Sequence, residues 1–186
     1  MGCLSFFIET WAGRVIGLCI VEMGFFLFYS PQYLLSIVGK DEEAKELSGK
    51  YRSSALSTSG IVFAGVIFIM TNTEDLSRIE PALEVLYVSI GLLISTFLLE
   101  GLTQHREIWL LYQEITLEYG VIGLLLGIWL LSQTVVPDSS GVIFAVLVIA
   151  VMLRLRELIG EVEAYSGLGN KSRLQFWFDF IRREEL

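Results

Sequence analysis

Charged residues make up only 18% of the 186 residues and hydrophobic residues 54%, whereas a soluble domain carries about 25% charged residues. With a mean hydropathy of +0.64, this composition argues against a soluble globular domain and indicates an integral membrane protein. The net charge of −8 comes mostly from acidic residues between the apolar blocks. The sequence has no basic stripe with interleaved aromatic residues, so it does not predict nucleic acid as a partner.

The apolar residues fall into five blocks, each near the length of about 20 residues that a helix needs to cross a bilayer. In chain order, the predicted spans cover residues 6–29, 53–71, 83–102, 110–136 and 140–158. The fifth is the least regular, because its apolar core ends at Leu153 and the predicted helix continues through Arg154, Arg156 and Glu157.

The segments between these blocks are too short to form a separate soluble domain. The longest, residues 30–52, is predicted to hold a short solvated helix at residues 42–46. We therefore expect residues 1–186 to form one membrane domain, an all-α bundle of five transmembrane helices in a multi-pass membrane protein.

The distribution of Lys and Arg predicts the orientation of this bundle. With five crossings, eleven of the 13 Lys and Arg residues lie on one side, and only Arg14 and Arg78 lie on the other. The eleven are Lys40, Lys45, Lys50, Arg52, Arg106, Arg154, Arg156, Lys171, Arg173, Arg182 and Arg183. Because inner loops carry such an excess, we expect the N-terminus outside and the C-terminus inside. Four crossings would remove the asymmetry.

The C-terminal segment is predicted to form an amphipathic helix over residues 171–184. Leu174, Trp177, Phe178 and Ile181 recur at the spacing i, i+3, i+4, i+7, with charged residues on the other faces. A short helix of this kind lies naturally in the membrane interface. The same pattern also suits packing on a partner subunit, and the sequence leaves both alternatives open.

Small residues repeat at a spacing of one helical turn in three of the spans. The pairs are Gly13 and Gly17, Gly60 and Ala64, and Gly123 and Gly127. In lipid, such small-xxx-small faces let two helices approach closely. We therefore predict that these six residues pack helices together, either within one tight bundle or between subunits.

Glu22 is the charge predicted to lie deepest in the membrane, about 10 Å from the Tyr29 end of the first span at 1.5 Å per residue. An ionisable residue at that depth is a candidate functional site that usually faces the bundle interior or a partner. One alternative is a protonated Glu22 that bonds to a hydroxyl or carbonyl of a neighbouring helix. The other is a transport or proton-relay role.

Further carboxylates form a stripe on the predicted fourth helix. Glu107, Glu114 and Glu118 lie close to one line along this helix, with Glu100 at the end of the preceding span. Together with Glu22, the side chains of Glu100, Glu114 and Glu118 form a candidate intramembrane polar site. Such a cluster could hold a hard cation or relay protons. Alternatively, the stripe faces inner-side water or a basic patch on a partner.

Signatures of soluble-type catalysis do not occur in the sequence. We find no G-x-S-x-G elbow, no phosphate-binding loop and no Cys/His pair with nucleophile or metal spacing. We therefore predict no catalytic, cofactor-binding or metal-binding residues, with bound lipid as the one ligand considered. A lipid-modifying enzyme stays an alternative, because it needs only a few polar groups in a membrane cleft.

The end of the first span reads "YSPQYLLSIVG" and is followed by a polar loop and a Ser-rich second span. This arrangement resembles small DoxX-like membrane proteins over about the first 130 residues. The resemblance concerns helix spacing with one Pro and one Gly, and no function is carried across from it.

Two functional hypotheses follow from these features. The first is a non-catalytic accessory or assembly subunit of a larger membrane complex, whose partners are other membrane subunits, a second copy of this chain, or lipids. It predicts that Glu22→Gln is nearly harmless and that Gly123→Leu or Gly127→Leu loosens the assembly. The second is a small oligomeric proton- or cation-coupled transporter or channel that uses Glu22 and the stripe of Glu107, Glu114 and Glu118.

Overall fold

A computed structural model describes residues 9–29, 42–72, 76–103, 107–135 and 137–166. These residues form five long helices: α1 (Trp11–Tyr29), α2 (Glu42–Asn72), α3 (Glu80–Thr103), α4 (Glu107–Val135) and α5 (Ser140–Ser166). Short 3-10 turns, Leu76–Arg78 and Pro137–Ser139, precede α3 and α5. The predicted interfacial helix at residues 171–184 lies outside the described residues.

Four of these helices contain a segment that is long and apolar enough to cross a membrane. The segments are Trp11–Phe28, Glu46–Thr71, Glu80–Glu100 and Ile108–Val135. Helix α5 is long enough at 27 residues, but Arg154, Arg156 and Glu157 all fall within the first 18 of them. Helix α5 is therefore long enough to cross a membrane, but it carries more charged residues than the four spans do.

Local sequence signals explain where several helices begin and end. The Thr10 hydroxyl accepts a hydrogen bond of 2.9 Å from the Gly13 backbone N–H, which caps the first turn of α1. Pro81 occupies the first turn of α3, where its missing N–H costs nothing. Helix α4 ends at Val135, and Pro137 opens the turn that follows it, because proline cannot continue a helical hydrogen-bond ladder.

Helix α2 is the main departure from the expected elements. The sequence predicts a loop over residues 30–52 with a short solvated helix at residues 42–46, whereas one continuous helix runs through Glu42–Asn72. No proline interrupts this stretch, and a single Gly49 does not end a helix that is held by tertiary contacts. Ser48, in the polar half of α2, is fully buried against α3 and α4.

Consecutive helices from α2 to α5 run antiparallel. Two contacts fix the direction of each pair of helices. They are Arg52–Glu100 and Met70–Tyr87 between α2 and α3, Thr96–Thr116 and Leu86–Gly127 between α3 and α4, and Glu118–Arg154 and Trp129–Phe144 between α4 and α5. Helix α1 packs on both α3 and α4 and runs antiparallel to α4. As a result, Tyr29 and the second half of α5 lie at the same end of the bundle, which we call the Arg154 end.

The core of the bundle is apolar, and so are its outer faces. Three buried clusters join the helices, centred on Phe26 and Ile115, on Val85 and Leu126, and on Val66 and Leu83. Large apolar side chains are also exposed along α2 and α5: Ile61, Phe63, Phe68, Val142, Ile149 and Met152. A water-soluble protein rarely exposes such extended apolar faces, whereas lipid chains solvate them.

Candidate functional site

Glu22 lies on the face of α1 that packs into the bundle. Cys19, Glu22 and Phe26 recur at i, i+3 and i+7, and all three side chains are buried, as expected for one helical face. The hydroxyl of Tyr119 on α4 donates a hydrogen bond of 2.7 Å to Glu22 Oε2. One oxygen of this deep carboxylate is therefore engaged by a neighbouring helix.

The other oxygen of Glu22 meets an arginine from the last helix. Arg154 Nη2 donates a hydrogen bond to Glu22 Oε1, and both side chains are only 6% exposed. Arg154 Nη1 lies 2.5 Å from Oε2 of Glu118 on α4. The planar guanidinium carries several donors in a fixed fork, so one side chain contacts carboxylates on two helices. This arrangement links α1, α4 and α5.

The register of α5 places Arg154 on its packed face. Leu147, seven residues earlier, is buried in the core, and Leu158, four residues later, packs against the cluster around Phe26. Arg156 is exposed, because residues two apart point to opposite sides of a helix. Arg154 was predicted among the inner-side cations beyond the last apolar core. The structure places it inside the bundle instead.

Arg154 is the side chain that the sequence analysis did not assign to this site. A signal for it exists: two arginines two residues apart in an apolar helix cannot both face the same environment. The sequence does not say which of them turns inward, since the preceding turns of α5 are apolar on every side. Only the packing of α5 on α4 decides it.

The site holds one cation among several carboxylates. A buried carboxylate or guanidinium alone is costly in an apolar medium, and pairing offsets that cost. Glu157 lies 3.9 Å from Arg154 Nη1, with a side chain 59% exposed. The buried part of the site therefore contains the Arg154 guanidinium between the carboxylates of Glu22 and Glu118. Chemically, this is an interhelical ion pair.

The other predicted carboxylates are distributed along the Arg154 end. Glu114, one turn before Glu118, is hydrogen-bonded to the side chain of Tyr51 on α2. Glu100 forms an ion pair of 3.1 Å with Arg52 and does not join Glu22. Glu107 begins α4, and its side chain lies outside the described part of the structure. The structure thus brings Glu22 and Glu118 together through Arg154.

A second polar cluster, formed by four buried side chains, joins α2, α3 and α4. The Ser48 hydroxyl donates to Gln113 Oε1 at 2.7 Å. Gln113 Nε2 donates to the carbonyls of Ser48 at 3.2 Å and Thr96 at 3.1 Å. The hydroxyls of Thr96 and Thr116 are 2.9 Å apart. We call these four residues the Gln113 clasp; the sequence analysis did not single them out.

The predicted small-residue faces have different environments. A Cβ on Gly123 would lie 2.5 Å from Ser89 Oγ, and one on Gly127 would lie 2.7 Å from Leu86 Cδ2. These two glycines therefore pack α4 on α3 within the chain, and Gly120 extends their face against Leu93.

The faces on α1 and α2 differ from this. Gly13 is buried and Gly17 is half-buried. Gly60 and Ala64 are exposed, and a Cβ on Gly60 would meet nothing within 4 Å. The pair on α2 consequently does not pack against the rest of the described chain.

Four helices long and apolar enough to cross a membrane indicate a multi-pass integral membrane protein. No group of three or more acidic, cysteine or histidine residues able to hold a metal ion occurs within the described helices and turns. No protein-family model, curated protein or solved structure matches the chain.

Proposed function

We propose that this protein is a non-catalytic accessory or assembly subunit of a larger integral-membrane complex. In this proposal the chain crosses the membrane five times, with its N-terminus outside and its C-terminus inside. The observation that carries the proposal is the outer face of α2, whose small residues are exposed and where a Cβ on Gly60 would meet nothing within 4 Å. The inner-side cations and the Arg154 pairs support the orientation.

Helix α2 has two faces that differ in composition and environment. Ser48, Ala55, Val62 and Val66 form its buried face. Ser53, Ser57, Gly60 and Ala64 are all exposed, and at 100° per residue they lie on the opposite side of the helix. The first face fixes α2 to α3. The second, which we call the outer face of α2, points away from the bundle.

The composition of this outer face favours a second helix over lipid as its neighbour. Small residues let two backbones come close enough for extensive van der Waals contact, and hydroxyl groups can bond across a helix interface. Lipid chains offer neither close packing nor hydrogen bonds to the two serines. The outer face of α2 therefore suits a transmembrane helix of another subunit.

The hydrogen bonds to both carboxylate oxygens of Glu22 support a structural role for this residue rather than a role in ion transport. Its Oε1 accepts from Arg154 and its Oε2 accepts from Tyr119. A transport site needs a carboxylate that reaches water or an ion during the cycle, whereas both oxygens of this one bond to helices of the same chain. Its charge is used to hold α1, α4 and α5 together.

The arrangement of α5 supports a fifth crossing. Its 27 residues extend about 40 Å, it packs along α4, and Arg154 is neutralised within the bundle. Among the residues that the structure describes, Lys50, Arg52 and Arg156 also lie at the Arg154 end, whereas Arg14 and Arg78 lie at the opposite end. The predicted interfacial helix at residues 171–184 would follow α5 at this end.

Two glycines of α2 allow a matched test of the proposal. A side chain at Gly60 or at Gly65 would meet nothing within 4 Å, so neither Gly60→Leu nor Gly65→Leu should disturb the chain's own fold. Gly60 lies on the outer face of α2, and Gly65 lies well to one side of it. The native protein is extracted in a mild detergent, purified, and analysed by quantitative mass spectrometry for integral-membrane companions.

We expect a stoichiometric membrane companion with the wild type and with Gly65→Leu, and its loss with Gly60→Leu. A cysteine at position 60 should also crosslink to that same companion, whereas one at position 65 should not. A homogeneous particle containing only this chain would contradict the proposal. Equal retention of the companion by both leucine variants would show that the outer face of α2 is not the interface.

A further inference from the structure

The apolar core of α5 is short for a membrane span. From Ser140 to Leu153 it covers about 14 residues, or about 21 Å of helix. The hydrocarbon core of a bilayer is about 30 Å thick. Helix α5 can therefore span it only if residues beyond Leu153, beginning with Arg154, also enter the low-dielectric region.

The groups that compensate Arg154 come from other helices. Glu22 on α1 provides a buried carboxylate and Glu118 on α4 a partly buried one. Within α5 itself, Glu157 lies 3.9 Å away and is largely exposed, so it is a weak intrahelical partner. The positive charge of Arg154 would oppose the insertion of α5 into the membrane. Its partners on α1 and α4 neutralise it once these two helices are packed together.

The order of the chain places these partners first. Helices α1 and α4 precede α5 in the sequence, and an N-terminal part is made before a C-terminal one during synthesis. We infer that α5 enters the membrane last, as a spanning helix whose insertion depends on Arg154 pairing with Glu22 and Glu118. The Glu22–Arg154–Glu118 bridge is then a topological lock that decides on which side the C-terminus ends.

The test uses the full chain with a C-terminal epitope tag, expressed in sealed membrane vesicles of known orientation. Protease added to one side reports whether the tag lies on that side. Three variants are compared with the wild type: Arg154→Glu, Arg156→Glu, and the charge exchange Arg154→Glu with Glu22→Arg. Arg156→Glu is the matched control, because it makes the same charge change on an exposed face two residues away.

The two single variants remove the same amount of positive charge from this end of the chain. Charge counting alone therefore predicts equal effects, whereas the lock predicts that only Arg154→Glu moves the tag away from its wild-type side. The charge exchange keeps one cation and two carboxylates in the site, so it should return the tag to that side. If the Arg154→Glu protein does not accumulate in the membrane at all, the charge exchange gives the answer. A charge-exchange protein that accumulates again, with its tag on the wild-type side, shows that the pair between positions 22 and 154 is needed.

Three results would overturn the inference. The first is an unchanged tag position with Arg154→Glu, since α5 would then insert without the pair. The second is an equal displacement with Arg156→Glu, which would assign the effect to total charge. The third is a charge exchange that restores neither the tag position nor the amount of protein.

Discussion

Arg154 on α5 donates a hydrogen bond to the carboxylate of Glu22 on α1, 132 residues earlier in the chain. Each of these two helices packs mainly on other helices, α1 on α3 and α4 and α5 on α4. The pair therefore joins the first and last helices of the described bundle directly. It also gives a specific reason for a carboxylate in the apolar run of α1, because its partner is a permanent positive charge.

Removal of the negative charge at Glu22 should destabilise the protein, contrary to the sequence-based expectation that Glu22→Gln is nearly harmless. Arg154 would keep Glu118 but lose its most buried partner. Breaking a buried pair by removing one partner costs about 3–5 kcal/mol. Because Arg154 keeps Glu118, we expect a loss at the low end of this range, about 3 kcal/mol of unfolding free energy. Denaturant-induced unfolding in detergent micelles, followed by tryptophan fluorescence, measures it.

Tyr119→Phe provides the comparison for that variant. It removes the 2.7 Å hydrogen bond to Glu22 Oε2 and leaves the ion pair in place, which should cost about 1.5 kcal/mol, the low end for a hydrogen bond to a charged group. If Glu22→Gln proved no more destabilising than Tyr119→Phe, the charge of Glu22 would contribute nothing beyond a hydrogen bond.

Two arginines at the same end of the bundle should respond very differently to neutralisation. The side chains of Arg52 and Glu100 are 47% and 30% exposed, and pairs of this kind are worth less than about 1 kcal/mol. Arg154→Gln instead leaves the buried carboxylate of Glu22 and the partly buried one of Glu118 without their cation, a loss of about 3–5 kcal/mol. Unfolding of Arg52→Gln, Arg154→Gln and wild type is compared in the same detergent.

The effect of salt on stability should also distinguish the Arg52–Glu100 pair from the Arg154 pairs. Exposed charges are screened at 1 M salt, whereas buried pairs are screened much less. The difference between wild type and Arg52→Gln should therefore disappear in high salt, and the difference for Arg154→Gln should persist. Loss of the Arg154 effect in salt would mean that water reaches this site.

The helices are predictable from sequence because a membrane imposes a strong constraint. A segment in lipid must satisfy its own backbone hydrogen bonds, so apolar blocks of membrane length become helices. Each of the five described helices accordingly covers most of one predicted apolar block. The polar half of α2 was not predicted as part of a continuous helix, because its docking depends on Gln113, 65 residues away from Ser48.

The candidate site was predictable only in part, for a related reason. A carboxylate in an apolar run is visible in any sequence, so Glu22 and Glu118 could be named as candidates. Arg154 lies where an apolar helix becomes charged, and that position is equally typical of a residue at the membrane surface. Which side of α5 faces α4 is a property of side-chain packing, and one linear sequence without its contacts does not specify it.

The glycine face of α4 should be intolerant of even one methyl group. A Cβ on Gly127 would lie 2.7 Å from Leu86 Cδ2 and 2.8 Å from Leu86 Cγ, so that either the Leu86 side chain or the two helices must shift. Overpacking of this kind costs about 1–3 kcal/mol. We expect Gly127→Ala to destabilise the isolated chain by that amount in a thermal unfolding experiment in detergent.

Gly91→Ala is the control for this prediction, since a Cβ there meets nothing within 4 Å. It should be neutral or slightly stabilising, because alanine exceeds glycine in helix propensity by about 1 kcal/mol. Adding Leu86→Ala to Gly127→Ala should cost less than the sum of the two single changes. Strict additivity would show that Leu86 is not what the new methyl group meets.

The Gln113 clasp should hold the polar half of α2 against the bundle. Gln113 is fully buried and makes three hydrogen bonds, two to Ser48 and one to Thr96. Gln113→Leu removes all three and leaves buried carbonyl groups of α2 and α3 without this donor, at a cost of about 2 kcal/mol. We expect local opening of residues 42–52 rather than global unfolding, because the apolar half of α2 keeps its contacts through Val62 and Val66.

Amide hydrogen exchange with mass spectrometry in a lipid nanodisc measures this local opening. A loss of about 2 kcal/mol corresponds to exchange roughly thirtyfold faster over residues 42–52, while peptides covering residues 60–72 should remain unchanged. Gln133→Leu is the matched control, because Gln133 is exposed on the same helix and its loss should alter neither segment. Unchanged exchange over residues 42–52 in Gln113→Leu would mean that apolar contacts alone dock this half of α2.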